Sequence, residues 1–199
     1  MRSKILVYFP THFFVPENLN NQFKQIKELG LDQLILDADF ALDNKNSESF
    51  LRAEDLNLFA IYQNNFNDEN KGLLLMDLLH SMNCPFILTD QWCDTKRNNL
   101  TIQKLEDSGI TFLVKNQFYY SKKNEIENSL PIVIENPLSF SEKPLQSSIV
   151  KEKQEEKKIV EEWKDKLVFF LIKPNTTFDN NTYLKHCKDL LNRYFFLGI

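Results

Sequence analysis

Side chains that can transfer protons stand at or just after the ends of apolar runs in this sequence. Glu135 ends the run PIVIE, Lys115 ends TFLVK, and His12 comes shortly after KILVYF. A carboxylate and an imidazole can act as general acid and base. A nearby ammonium group can stabilise negative charge that develops during the reaction. We therefore take these three residues as the candidate catalytic set.

Six further polar or aromatic residues stand at the ends of apolar runs and are candidates for contact with a substrate. They are Asp37, Gln63, Asp90, Trp92, Asn116 and Lys173. Turn formation alone can account for any single one of them, because turns favour polar residues such as Asn and Asp. Together they form a polar rim around apolar strands, in which Trp92 can stack on a sugar ring. The rim as a whole indicates a small-molecule site.

A lysine at the end of a strand also permits a different chemistry. Lys115 or Lys173 would form a Schiff base with a carbonyl substrate if its amine lay desolvated in a barrel mouth. An ion pair with a neighbouring carboxylate is the structural explanation for the same residues. Covalent catalysis by either lysine is therefore a further hypothesis.

Short apolar runs alternate with helical patterns along the chain. Eight runs are separated by seven helical patterns, and the predicted strands are residues 4–9, 33–37, 58–63, 85–89, 111–115, 131–135, 167–173 and 194–199. A helical crossover returns the chain to the same end of a sheet, so these strands should run parallel. Their nearly continuous apolar character indicates that both faces of the sheet are buried.

These patterns predict one α/β domain, residues 1–199, folded as a compact (β/α)8 TIM barrel. The barrel is expected to lack its last helix, because the sequence stops at the eighth strand. An open doubly wound parallel sheet is the alternative fold. Active sites of such barrels lie at the carboxyl ends of the strands, which is where the candidate residues stand.

Composition excludes several classes of partner. The net charge is -4 and the isoelectric point is about 5.5, so neither nucleic acid nor an anionic membrane surface is an expected partner. No apolar run approaches the roughly 18 residues that cross a bilayer. Three widely spaced cysteines fit neither a disulfide framework nor a zinc motif. We therefore expect a cytoplasmic protein.

Four segments resemble strands of a known barrel family. LGLDQLILD at 29–37 is similar to that family's GFDGIEL segment, and LNLFAIYQ at 56–63 to its GLKVVAL strand. MNCPFILTD at 82–90 resembles LGCPYVVL, and GITFLVKN at 109–116 resembles GITLLLEN. The family is the xylose-isomerase-like barrels, which include sugar isomerases, epimerases and relatives of endonuclease IV. The resemblance implies a divergent and shortened member.

The resemblance also implies a divalent metal such as Mg, Mn or Zn at the strand ends. The family's ligand set is not intact here. Its metal-binding Glu on the fifth strand corresponds to Lys115, and the segments near Glu135 and at 171–173 lack the expected histidines. A metal site is therefore lost or rebuilt, and the candidate ligands that remain are His12, Asp90 and Glu135, with Asp37 at another strand end.

Two functions follow from these expectations. The first is an isomerase or epimerase that acts on a small sugar or sugar derivative bound at the strand ends. The second is a degenerate barrel that binds a small ligand or a protein partner without catalysis. KPNTTFDNN, which follows the seventh strand, lacks the glycines of a phosphate cradle. Without a last helix, apolar barrel surface would need a cover, so a homo-oligomer is also expected.

Overall fold

Seven apolar runs form one parallel sheet in the computed structural model of the chain. The structure describes residues 4–31, 33–43, 47–89, 99–115, 132–135, 168–172 and 178–197. The strands are β1 Lys4–Phe9, β2 Gln33–Asp37, β3 Asn57–Tyr62, β4 Phe86–Leu88, β5 Thr111–Lys115, β6 Ile132–Glu135 and β7 Val168–Ile172. Each strand is rich in β-branched, aromatic or leucine side chains, which suit a sheet with two buried faces.

Helices connect the strands and pack around the sheet. They are α1 Leu19–Glu28, α2 Ala38–Asp43, α3 Ser47–Ala53, α4 Glu69–Ser81, α5 Leu100–Asp107 and α6 Asn180–Leu197, with short 3-10 helices at Thr11–Phe13 and Pro16–Asn18. Side-chain caps lie at the starts of several of them: Asp68 accepts from Lys71 N at 3.1 Å before α4, Asn99 accepts from Thr101 N at 2.9 Å before α5, and Asp179 accepts from Asn181 N at 3.0 Å before α6. No described helix is long and apolar enough to cross a lipid bilayer.

The sheet closes into a barrel. Each strand pairs in parallel with the next one along the chain, and β7 pairs with β1 from Lys4↔Phe169 to Val7↔Ile172. This closure confirms the predicted shortened TIM barrel. It also shows that the alternative, an open doubly wound sheet, is wrong, because such a sheet has two unpaired edges.

The prediction of an eighth strand at residues 194–199 is wrong, because α6 continues to Leu197. The ring offers no gap for that strand in the described part of the chain, since β7 pairs directly with β1. The expectation that no helix follows the last strand is wrong for the same reason: α6 follows β7. Within the described residues, the barrel therefore has seven strands instead of the predicted eight, and a helix follows the seventh strand.

Two apolar layers fill the molecule. The inner layer lies inside the barrel and consists of alternate strand residues, among them Leu6, Tyr8, Ile35, Ala60, Leu88, Leu113, Val133 and Leu171. The outer layer lies between the strands and the helices and includes the intervening residues, such as Val7, Phe9, Leu34 and Leu36. Apart from a register shift in β3, where the consecutive Phe59 and Ala60 both belong to the inner layer, alternate strand residues face the interior, and this alternation selects the side chains that reach the mouth of the barrel.

The last helix covers part of the barrel wall. Tyr183, Cys187, Leu190 and Leu191 on α6 are all buried in the outer layer. The expected bare surface is therefore absent where α6 packs, and the reason for expecting a homo-oligomer does not apply there. Assembly of the chain into oligomers stays a prediction.

Helices α4 and α5 approach each other closely at Gly72. This glycine is buried, and a Cβ at its position would overlap Cγ2 of Thr101. The two helices are also joined at their exposed side by an ion pair between Lys104 and Glu69. The close approach of Thr101, and not the backbone angles, is what requires a glycine at position 72.

Candidate functional site

A polar cluster lies at the carboxyl ends of β1 to β4. Its members are Tyr8, Asp37, Tyr62, Asn64 and Thr89, which we call the mouth cluster. The Tyr8 hydroxyl donates a hydrogen bond of 2.9 Å to Oδ2 of Asp37. The other carboxylate oxygen, Oδ1, accepts from the backbone N–H of Asp39 at 3.0 Å. Asp37 is thus held by two donors at the junction of β2 and α2.

The second half of the mouth cluster is a line of three side chains. Thr89, which is buried, donates from Oγ1 to Oδ1 of Asn64 at 3.3 Å, and Nδ2 of Asn64 donates to the Tyr62 hydroxyl at 2.7 Å. The rings of Tyr62 and Tyr8 meet edge to face with centroids 4.9 Å apart. This aromatic contact joins the two halves into one arrangement that spans four neighbouring strands.

Strand alternation brings these side chains together. Tyr8 stands two residues beyond Leu6, Asp37 two beyond Ile35, and Tyr62 two beyond Ala60, so all three share the inner face. The register pairs Asp37 with Tyr62 across β2 and β3. Polar groups therefore cap the inner apolar layer at its carboxyl end, as in a barrel whose mouth receives a ligand.

The candidates Lys115 and Glu135 occupy equivalent strand positions. For these two residues the description covers the backbone alone. Lys115 pairs with Val133 across β5 and β6, and Glu135 pairs with Leu171 across β6 and β7. Each stands two residues after an inner-face residue, which is Leu113 for Lys115 and Val133 for Glu135. The alternation of a strand assigns both positions to the inner face at the carboxyl end.

The third candidate, His12, lies in the 3-10 helix that follows β1, and its side chain is exposed. No hydrogen bond between described residues joins it to the mouth cluster. The loop that carries it is anchored by Gln22, a buried residue of α1 that the sequence did not single out. The Gln22 amide donates to the Phe13 carbonyl at 2.5 Å and accepts from Val15 N at 2.8 Å.

Gln63 is buried and shapes the turn after β3. Its side-chain amide donates to the Asn65 carbonyl, and its backbone N–H donates to the Leu88 carbonyl at 3.0 Å. These bonds place the intervening Asn64 in the mouth cluster. The remaining substrate-binding candidates, Asp90, Trp92, Asn116 and Lys173, lie outside the described residues.

The described residues do not fit a metal site. Within the described ranges, no three His, Cys, Asp or Glu side chains lie close enough together to hold an ion. The carboxylate of Asp37 is engaged by two protein donors.

Neither described cysteine can serve as a nucleophile at neutral pH. Cys84 and Cys187 are both buried, and this burial raises the pKa of each thiol to about 12. A thiol with so high a pKa stays protonated and unreactive.

Comparison with known proteins gives a match of fold. No protein-family model matches the sequence, and no curated protein matches it. Among similar solved structures, the 3-keto-D-glucoside 4-epimerase of E. coli has a TM-score of 0.54 at 12% identity, covering 96% of this chain and 100% of its own. The family 2 AP endonuclease of Brucella melitensis has a TM-score of 0.52 at 12% identity, with coverages of 92% and 97%.

A xylose isomerase domain protein of Planctomyces limnophilus is also similar, with a TM-score of 0.51 at 8% identity, covering 98% of this chain and 96% of its own. Likeness at such identities shows the fold and not the activity. It confirms the resemblance drawn from the strand segments at the level of architecture. The chain therefore has a shortened TIM-barrel fold, which is similar to the folds of xylose isomerase-like proteins.

Proposed function

We propose that the mouth of the barrel binds a small sugar or sugar derivative and that the chain isomerises or epimerises it. The observation that carries this proposal is the mouth cluster. A carboxylate, an amide, two phenols and a hydroxyl are joined by hydrogen bonds and an aromatic contact at the ends of four adjacent strands. Such an arrangement is already organised before a ligand arrives, which lowers the entropic cost of binding.

A polyol suits the chemistry of these groups. Its hydroxyls can donate to the Asp37 carboxylate and exchange hydrogen bonds with Asn64 and Thr89, while its C–H faces can contact the rings of Tyr8 and Tyr62. Two structures of similar fold are described as a 3-keto-D-glucoside 4-epimerase and a xylose isomerase domain protein. Their names support a sugar as the class of ligand for this chain.

The reaction would move one proton between positions on the sugar. A base, Glu135 or His12, removes a proton from the carbon beside the carbonyl group, and the other residue protonates the carbonyl oxygen. The ammonium group of Lys115 stabilises the negative charge that develops on this oxygen. Return of the proton to the former carbonyl carbon, with loss of the proton from the neighbouring hydroxyl as the new carbonyl forms, gives the isomer. Its return to the opposite face of the original carbon, with loss of the proton that the carbonyl oxygen had gained, gives the epimer.

Substrate contacts are proposed for the remaining candidates. Asp37 would accept from a sugar hydroxyl, and Gln63 would act through the turn that holds Asn64 in place. The other proposed contacts are Asp90, Trp92, Asn116 and Lys173, as the sequence suggests. The location of these residues at successive strand ends is what supports their inclusion.

Solvent isotope exchange tests the proposed reaction. A panel of aldoses, ketoses and keto-sugars is incubated with the protein in D2O, and 1H NMR follows loss of the proton beside the carbonyl. We expect exchange with at least one sugar and a loss of about 100-fold or more in Glu135→Gln, since a general base contributes at least that much. Glu69→Gln, at an exposed glutamate of α4, is the matched control and should exchange normally. Exchange at the same rate in both variants contradicts the assigned role.

The second candidate function is a barrel that binds a sugar without converting it. The mouth cluster favours this function because Asp37 is its one carboxylate and already accepts two hydrogen bonds from the protein, which makes it a poor base. In this case a sugar raises the melting temperature but shows no isotope exchange. If the barrel only binds the sugar, joint replacement of His12, Lys115 and Glu135 leaves the sugar-induced rise in melting temperature unchanged. If the barrel is catalytic, the wild type shows isotope exchange and the same replacement abolishes it.

A further inference from the structure

The hydroxyl of Tyr183 contacts the backbone at the mouth of the barrel. Tyr183 belongs to α6 and is 1% exposed, and its hydroxyl donates a hydrogen bond to the carbonyl oxygen of Tyr8. Burial raises the pKa of the Tyr183 phenol, so the group stays a neutral donor. This bond links the last described helix to the first strand, 175 residues away along the chain.

The bond lies at the seam where the barrel closes. The last described pair between β1 and β7 is Val7↔Ile172, one residue before Tyr8. Residue 10, two positions after Tyr8, is a proline and has no N–H to donate. The Tyr183 hydroxyl thus holds the backbone of β1 just beyond its last described pair with β7.

Tyr8 carries its side chain directly into the mouth cluster. Its phenol donates to Asp37 at 2.9 Å and its ring meets that of Tyr62 at a centroid distance of 4.9 Å. A change in the backbone at Tyr8 would therefore alter both halves of the cluster. The rings of Phe9 and Phe13 pack on Tyr183, with centroids 5.9 and 5.6 Å away, and keep it aimed at the strand.

We propose that Tyr183 is a positioning residue for the mouth of the barrel: by holding the Tyr8 carbonyl, it fixes the Tyr8 phenol against Asp37. That Tyr183 affects ligand binding rests on the proposed function, because the position of Tyr8 influences binding only if the mouth cluster receives a ligand. The positioning itself is a property of the free protein. The two can therefore be tested separately.

The first measurement needs no ligand. The protein is labelled with 3-fluorotyrosine, and the 19F NMR signals of Tyr8 and Tyr62 are assigned from Tyr8→Phe and Tyr62→Phe. In Tyr183→Phe the ring and its packing remain but the hydroxyl is gone, so we expect the signals of Tyr8 and Tyr62 to shift or broaden. Leu190→Ala, at a buried residue of the same helix, is the control for loss of packing. Unchanged signals in Tyr183→Phe, or equal changes in both variants, overturn the inference.

The second measurement uses the sugar that most raises the melting temperature of the wild type. Binding should weaken about fivefold in Tyr183→Phe, as expected if the loosened mouth cluster occupies its binding-competent arrangement about a fifth of the time, and it should be unchanged in Leu190→Ala. An unchanged dissociation constant in Tyr183→Phe overturns the inference even if the 19F signals move. If no sugar binds the wild type, the proposed function fails, and the 19F spectra alone decide whether Tyr183 positions Tyr8.

Discussion

Replacing Gln22 should loosen the loop that joins the barrel to its first helix. Gln22 is 1% exposed, and its side-chain amide bonds both the Phe13 carbonyl and the Val15 N–H. Gln22→Met preserves the length and most of the volume of the side chain but removes both hydrogen bonds. The effect therefore reports the polar contribution and not a cavity.

The structure sets the size of this effect. Phe13 is buried, so water cannot replace the lost donor to its carbonyl, and the unsatisfied carbonyl lowers the free energy of unfolding by about 1–3 kcal/mol. Val15 is 40% exposed, so water can replace the second bond, whose loss adds roughly 0.5–1 kcal/mol. We expect the free energy of unfolding to fall by about 1.5–4 kcal/mol in total.

Urea denaturation followed by circular dichroism measures this change. With a slope of about 2 kcal/mol per molar urea, the midpoint should fall by about 1–2 M while the slope stays the same. Gln25→Met, at a half-exposed glutamine of the same helix, is the matched control and should change the free energy of unfolding by less than about 0.5 kcal/mol. Equal midpoints for the two variants would refute the anchoring role of Gln22.

Three further predictions concern helix packing, thiols and acid stability. Gly72→Ala should lower the free energy of unfolding by about 1–2 kcal/mol despite the better helix propensity of alanine, and Thr101→Ser should restore it in the double variant by removing the overlapping methyl group. In a variant without Cys93, the remaining Cys84 and Cys187 should react with Ellman's reagent at pH 8 only after unfolding, because burial raises the pKa of both thiols to about 12. Fast reaction of the native protein would contradict this expectation. The pKa of Asp179 lies below its ordinary value of 3.8 because the carboxylate accepts hydrogen bonds, of which the one from the Thr182 hydroxyl has the largest effect. The melting temperature of the wild type should therefore exceed that of Asp179→Asn above pH 3.8, and the difference should vanish as the pH falls through the lowered pKa; a difference independent of pH would contradict the role of this charge.

Much of the fold could be predicted from local patterns. The bounds of β1, β2 and β5 agree with the apolar runs KILVYF, QLILD and TFLVK, because turn residues such as Pro10 and Gly30 delimit them. The end of α6 could not be predicted in this way. An apolar run such as YFFLGI fits a buried strand and a buried helix equally well, and the choice depends on the pairing of β7 with β1.

The candidate site was only partly predictable. Asp37 was identified because it is polar at the end of an apolar run, and it lies in the mouth cluster. Tyr8 and Tyr62 were missed because tyrosine within an apolar strand resembles a packing residue. Strand alternation was the signal that could have found Tyr8, since it stands two residues after Leu6. Gln22 gave no local signal, because only the fold shows that this polar helix residue is buried.

Side chains from separate strands meet at the mouth of the barrel, and we propose that a ligand binds there. Isothermal titration with the best sugar of the panel, comparing Asp37→Asn with Asp39→Asn, tests it most directly. Asp37 lies in the mouth cluster, whereas Asp39 is exposed and pairs with Lys71 of α4. We predict that Asp37→Asn weakens binding by about tenfold or more, as expected for a hydrogen bond to a charged group, and that Asp39→Asn binds normally. Equal affinity in the two variants would contradict the claim.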